Sequence, residues 1–176
     1  MNFLWIDEKE NAIDSLEKCL EFLRKVEEDW FYWKWVIISL HNALYGFMIC
    51  ILTQGNYDNV LRSTKKYQKL IDFDKALRCV QTREYVRGYD IKPIQLTCSQ
   101  KKSVSILKNV LRNNFEHFVP KGWYIELGGM QDIIRDITEI IESLLLLGPA
   151  VVPFEEEQIK RIEFFLKSIK SIKINL

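Results

Sequence analysis

An all-α fold, a bundle of about five to seven helices, is what this sequence predicts from its punctuation and apolar periodicity. Gly and Pro are scarce, 7 and 4 of 176 residues. That is roughly half their usual combined share, which leaves little turn material for a β architecture. Most of these residues gather in four places: Gly55; Gly88 with Pro93; Pro120, Gly122, Gly128 and Gly129; and Gly148, Pro149 and Pro153. The segments between them carry apolar residues at helical spacing and are long enough for one or two helices each. The length suits one domain over residues 1–176 with a core of its own.

The first segment, residues 7–53, is expected to hold two helices. Glu17, Leu20, Leu23 and Glu27 follow an amphipathic pattern, which gives way between Glu28 and Trp35 to residues that are apolar on every side. Residues 35–57 contain no Asp, Glu, Lys or Arg. That run is as long as a membrane span. Ser39, His41, Asn42 and Gly46 at its centre suit lipid poorly, so it reads as the buried central helix of a bundle. His41 reads as a hydrogen-bonded core histidine, and Trp30, Trp33 and Trp35 as core or interface anchors. Segments 58–87, 97–118 and 130–147 follow as helical. The last, 155–174, opens on Glu155, Glu156 and Glu157 and closes on Lys167, Lys170 and Lys173, charges that complement a helix dipole. Residues 122–127 are expected as an ordered loop, because a lone strand there has no partner.

The composition, 48% hydrophobic and 28% charged with a net charge of +1, excludes disorder. Cys19, Cys50, Cys79 and Cys98 lie far apart, with no Cys-x-x-Cys pair and no His at metal-ligand spacing. No metal or cofactor is therefore expected, and scattered thiols fit a reducing compartment. The acidic start, with Asp7, Glu8 and Glu10, is unlike a secretory leader, so a cytoplasmic location is expected. Charge is uneven along the chain: residues 56–121 hold 14 Lys and Arg against 6 Asp and Glu. Lys65, Lys66, Lys69, Arg78, Arg83, Arg87, Lys92, Lys101, Lys102 and Lys108 in this segment either form a footprint for a phosphate backbone or are solvated faces complementing the acidic ends.

One constellation carries chemistry. Along 103–118, Val104, Leu107, Leu111, Phe115 and Phe118 fall within about 80° of a helical wheel and define a core stripe. Asn113 and His117 fall opposite, with Ile106 and Val110 beside them, so this outer face gains from being covered by a second subunit. Asn113 stands four residues before His117, the spacing at which an amide can orient an imidazole. Arg112 flanks them with fixed donors suited to phosphate oxygens. A His that activates a ribose 2′-OH and an Arg that offsets charge on the phosphate suffice for RNA cleavage without a metal. Lys101, Lys102, Lys108 and Lys121 are the candidate RNA-backbone contacts, and Trp123 beside Lys121 is a candidate stacking platform.

The run Arg112-Asn113-Asn114-Phe115-Glu116-His117 matches the R-x4-6-H motif of the HEPN superfamily, in which a polar residue follows the Arg and the motif ends a helix. The continuation Phe118-Val119-Pro120-Lys121-Gly122-Trp123, and the earlier Tyr32-Trp33-Lys34-Trp35 and His41-Asn42-Ala43-Leu44, resemble a bacterial, partly plasmid-borne HEPN group. The resemblance implies a small helical bundle that forms a homodimer with two motifs facing one cleft. It implies a metal-independent endoribonuclease of toxin, antiphage-defence or RNA-processing systems, with an antitoxin or a nucleotidyltransferase as a further partner class. Arg112 and His117 would be catalytic and Asn113 supporting. Two alternatives stay open: a non-catalytic HEPN module that binds a nucleotide or a protein, and a plain helical interaction protein in which Arg112 pairs with Glu116.

Overall fold

The computed structural model describes residues 3–54, 56–63, 68–86, 91–117, 120–147 and 153–174. Its elements are α1 (Glu8–Leu23), α2 (Tyr32–Thr53), a 3-10 turn (Tyr57–Asn59), β1 (Leu61–Ser63), β2 (Gln68–Leu70), α3 (Phe73–Val80), α4 (Cys98–Ser105), a π-helical stretch (Ile106–Arg112), α5 (Asn113–Glu116), α6 (Met130–Leu145) and α7 (Glu156–Ser171). The π-helical stretch joins α4 to α5 without a break, so the three form one rod. The fold is helical, as expected, with one addition. β1 and β2 pair antiparallel, Leu61 opposite Leu70, inside a segment expected to be helical throughout. Three-residue strands are too short to produce a readable alternation of apolar and polar positions. Residues 122–127 form a loop.

Local chemistry sets the helix starts. The Asp7 carboxylate accepts from the Glu10 backbone N–H at 2.8 Å to open α1, and Asp72 does the same for Lys75 at 2.8 Å to open α3. Thr97 with Gln100 and Glu155 with Gln158 form reciprocal caps at the starts of α4 and α7. The acidic first turn and Lys170 in the last turn of α7 match the charge pattern expected there.

α2 is the axis of the bundle and packs against α1, α3, α6 and the rod. By length and composition it passes for a membrane span, but 78% of its apolar window is buried inside the protein. α1 lies so close to it that a Cβ added at Gly46 would stand 2.8 Å from the Ala12 Cβ. Only a residue without a side chain allows this crossing. α7 covers α1, joined by Arg161 to Glu10 at 3.2 Å and by Gln158 to Glu10 at 2.7 Å. α6 covers α4, where the Ser99 and Ser103 hydroxyls donate to the buried Asp136 carboxylate at 2.8 and 2.5 Å. Val104, Leu107 and Leu111 face the core as the stripe predicts, whereas Phe115 is only half-buried. Phe118, the fifth member, lies outside the described residues, as do Gly55, Gly88, Gly148 and Pro149.

Candidate active site

The rod presents the Arg and His of the motif at its C-terminal end. Its π-helical winding, with bonds closing one residue further than in an α-helix, advances the register of everything after it. Val110 stays outside, 49% exposed, but Ile106, expected on the same outer face, packs against the edge of the core. Phe115 packs half-buried against the edge of the core and meets Trp123 edge-on, with ring centroids 5.1 Å apart.

Arg112 ends the π-helical stretch with both terminal nitrogens of its guanidinium engaged. One terminal nitrogen pairs with Glu116, four residues on, and the other donates to the Asn113 side-chain oxygen at 3.2 Å. Its Nε is buried and has no hydrogen-bond partner among the described residues. The expectation that Asn113 orients His117 is not met: the Asn113 oxygen serves Arg112, and no hydrogen bond joins its side chain to the imidazole. The cause is local. His117 leaves helical geometry, with φ −112° and ψ 54°, so its ring no longer sits one turn above Asn113. Only its backbone N–H keeps the helical bond, to the Asn113 carbonyl at 2.8 Å. The imidazole is exposed to solvent.

A second layer supports the rod from below. Lys108, four residues before Arg112, reaches Asp74 of α3 at 2.5 Å, and its ammonium stands 5.9 Å from the centre of the Phe73 ring. His41 of α2 stacks on the same ring at 4.6 Å, so α2, α3 and the rod meet at Phe73. His41 is buried, with its Nδ1 3.3 Å from the Asn42 side-chain oxygen. Burial pushes its pKa down to about 4; the Asn42 contact works against this, and the charges of Arg112 and Lys108 add to it. His41 is thus neutral near pH 7 and part of the packing. The thiols of Cys19 and Cys50 are pushed up to about 12, chiefly by burial, which removes them as nucleophiles near neutral pH.

The candidate RNA contacts are not gathered in one place. Lys101 and Lys102 are exposed in the middle of α4, roughly 15 Å along the rod from Arg112. Lys108 is engaged by Asp74, while Lys121 is exposed in the loop that carries Trp123 back onto Phe115. Lys65, Lys66 and Arg87 lie outside the described residues. Among the described residues, no three His, Cys, Asp or Glu side chains gather at metal-binding distance.

Beside the motif lies a groove of about 460 Å³, walled by Trp30, Phe31, Trp33, Phe115, Trp123 and Tyr124, with Lys34 on its lining. Sequence reasoning missed this groove and the meeting of His41 with Lys108 on Phe73. The one signal for the groove was the density of aromatic residues at 30–35. Its lower half, Trp33, is buried as an anchor should be, while Trp30 and Phe31 are exposed. Comparison of the chain with protein-family models, with characterised proteins and with solved structures gives no match.

Proposed function

We propose that the chain is a cytoplasmic, metal-independent endoribonuclease of HEPN type that acts as a homodimer, with His117 and Arg112 as its catalytic pair. The observation that carries this reading is the end of the rod: an imidazole open to solvent, five residues from a guanidinium held by contacts that a phosphate can replace. The Arg112–Glu116 pair is of the i, i+4 kind, stabilising by about 0.2–0.5 kcal/mol. A charge-assisted contact to phosphate is stronger than that. His117 takes the proton of a ribose 2′-OH, which attacks the adjacent phosphate, and Arg112 offsets the charge that builds on the phosphoryl oxygens. The bond to the 5′-oxygen breaks as that oxygen takes up a proton, returned by the protonated His117 through solvent water, leaving a 2′,3′-cyclic phosphate and a 5′-OH. Exposed Val110 beside the motif supports a face that a second subunit covers. Toxin or antiphage roles, with an antitoxin or nucleotidyltransferase partner, belong to the same reading.

Purified protein is expected to cleave mixed RNA in EDTA, and to leave DNA and 2′-O-methyl RNA intact. His117→Ala and Arg112→Ala are each expected to lose at least 100-fold in rate, in keeping with general acid–base and electrostatic contributions of roughly 10²–10³. Equal cleavage by wild type and His117→Ala, or loss of cleavage in EDTA, rejects the mechanism. One observation favours a second reading, a non-catalytic module that binds a nucleotide or a protein: both terminal nitrogens of Arg112 are already engaged within the chain. That reading expects RNA or nucleotide binding without turnover in the same assay.

A further inference from the structure

We propose that the aromatic groove at the start of α2 binds the Phe3–Ile6 segment of a second copy of this chain, reciprocally, in a closed dimer. The inference rests on the homodimer proposed above, naming the contact that holds the pair together, and not on its chemistry: groove and segment would pair equally in an inactive protein, and cleavage of RNA in EDTA tests the chemistry separately.

Phe3, Leu4, Trp5 and Ile6 are four successive apolar residues ahead of α1, outside any helix or strand, and they are 53 to 89% exposed. A contiguous apolar run left in water marks an interaction surface. The groove has the complementary shortage: its rim residues Trp30, Phe31 and Tyr124 are exposed aromatics around an apolar hollow. Bound in extended form, the segment would present alternate side chains, here Phe3 and Trp5, to the same side, which suits such a hollow.

Reach decides whose segment it is. The segment is tethered to the first turn of α1, which packs near the far end of α2: Ala12 touches Gly46, and Glu8 lies 3.4 Å from the Tyr57 hydroxyl. The groove lies at the opposite end, around Trp30 to Lys34. Twelve helical residues separate Lys34 from Gly46, a rise of about 18 Å, whereas the four-residue segment spans at most about 14 Å. Glu8 lies further still from the groove than Ala12 does, so the chain cannot fill its own groove and a second copy can. The lining carries a single charged side chain, Lys34, and is otherwise aromatic and aliphatic, which suits an apolar segment better than a phosphate backbone. Two aromatic side chains and the walls they cover, taken twice over in a symmetric pair, bury on the order of 1,000 Å², a modest interface in which the aromatic anchors carry the affinity.

The test uses the full chain and sedimentation from 1 to 100 µM. Wild type is expected to be a dimer. The segment variant Phe3→Asp/Trp5→Asp and the groove variant Phe31→Asp are each expected to weaken self-association by at least roughly 30-fold. All three positions are exposed, so unchanged circular dichroism and melting confirm that each variant still folds. Mixing the two variants restores one of the two contacts and gives a heterodimer weaker than wild type. A wild type that stays monomeric, or a dimer that survives either variant, overturns the proposal. So does quenching of a 2-aminopurine oligoribonucleotide by a monomeric wild type that Phe31→Asp abolishes, which assigns the groove to nucleic acid.

Discussion

At the scale of single residues, two side chains on the motif helix restrain Arg112 and a buried imidazole lies beneath it. Glu116 competes with any phosphate for Arg112, so Glu116→Gln is expected to tighten RNA binding by roughly 2- to 5-fold, the worth of such a pair with some relief of repulsion. Fluorescence titration with a short RNA in the His117→Ala background measures this without turnover. His41 supplies a pH dependence of the opposite character. Its folded pKa of about 4 lies below the ordinary value of 6.5, so the unfolded chain binds a proton first as pH falls. Stability is full above pH 6.5 and drops by on the order of 3 kcal/mol as pH falls to about 4. Denaturant melts of wild type and His41→Asn at pH 7 and pH 4.5 check this: the wild type is expected to lose stability over that range and the variant to lose much less. Arg112 and His117 were legible in the sequence because spacing along one helix is local information. The Phe73 meeting point was not, because it joins residues 41, 73 and 108 from three elements, and only tertiary packing brings these together.

Among the elements, the crossing of α1 over α2 depends on Gly46. Gly46→Ala gains up to about 1 kcal/mol of helix propensity but drives its methyl against Ala12, and such overpacking costs about 1–3 kcal/mol. The overpacking is expected to win, lowering the melting temperature, and Ala12→Gly in the same chain is expected to recover part of the loss. The helices themselves were legible because caps and charge gradients are written locally, as at Asp7, Thr97 and Glu155. The π-helical stretch was not. A wheel drawn at α-helical pitch puts Val104, Leu107 and Leu111 correctly and Phe115 in part, half-buried at the core edge against Trp123, but it misplaces Ile106, which packs against the core and not on the outer face. Deleting Asn109, an exposed residue inside the stretch, is expected to restore α-helical winding and rotate the motif relative to the core. RNA binding is then expected to fall while helix content by circular dichroism stays the same.

For the molecule as a whole, one core runs from α1 through α2 to the rod, α6 and α7. The ion pairs around it are mostly exposed and contribute little, about 0–1 kcal/mol each. Cohesion therefore rests on the apolar interior, and the cysteines sample that interior unevenly. Cys19 on α1, Cys50 on α2 and Cys79 on α3 are buried, and Cys98 at the start of α4 is exposed. The chain thus carries its own clock for opening. A maleimide dye is expected to label Cys98 within the mixing period and the other three only as their helices detach from the core, in steps that mass spectrometry assigns peptide by peptide. Simultaneous labelling of all three would mean that the bundle opens as one unit, whereas early labelling of Cys79 alone would mean that the short α3 breathes while the α1–α2 pair stays shut.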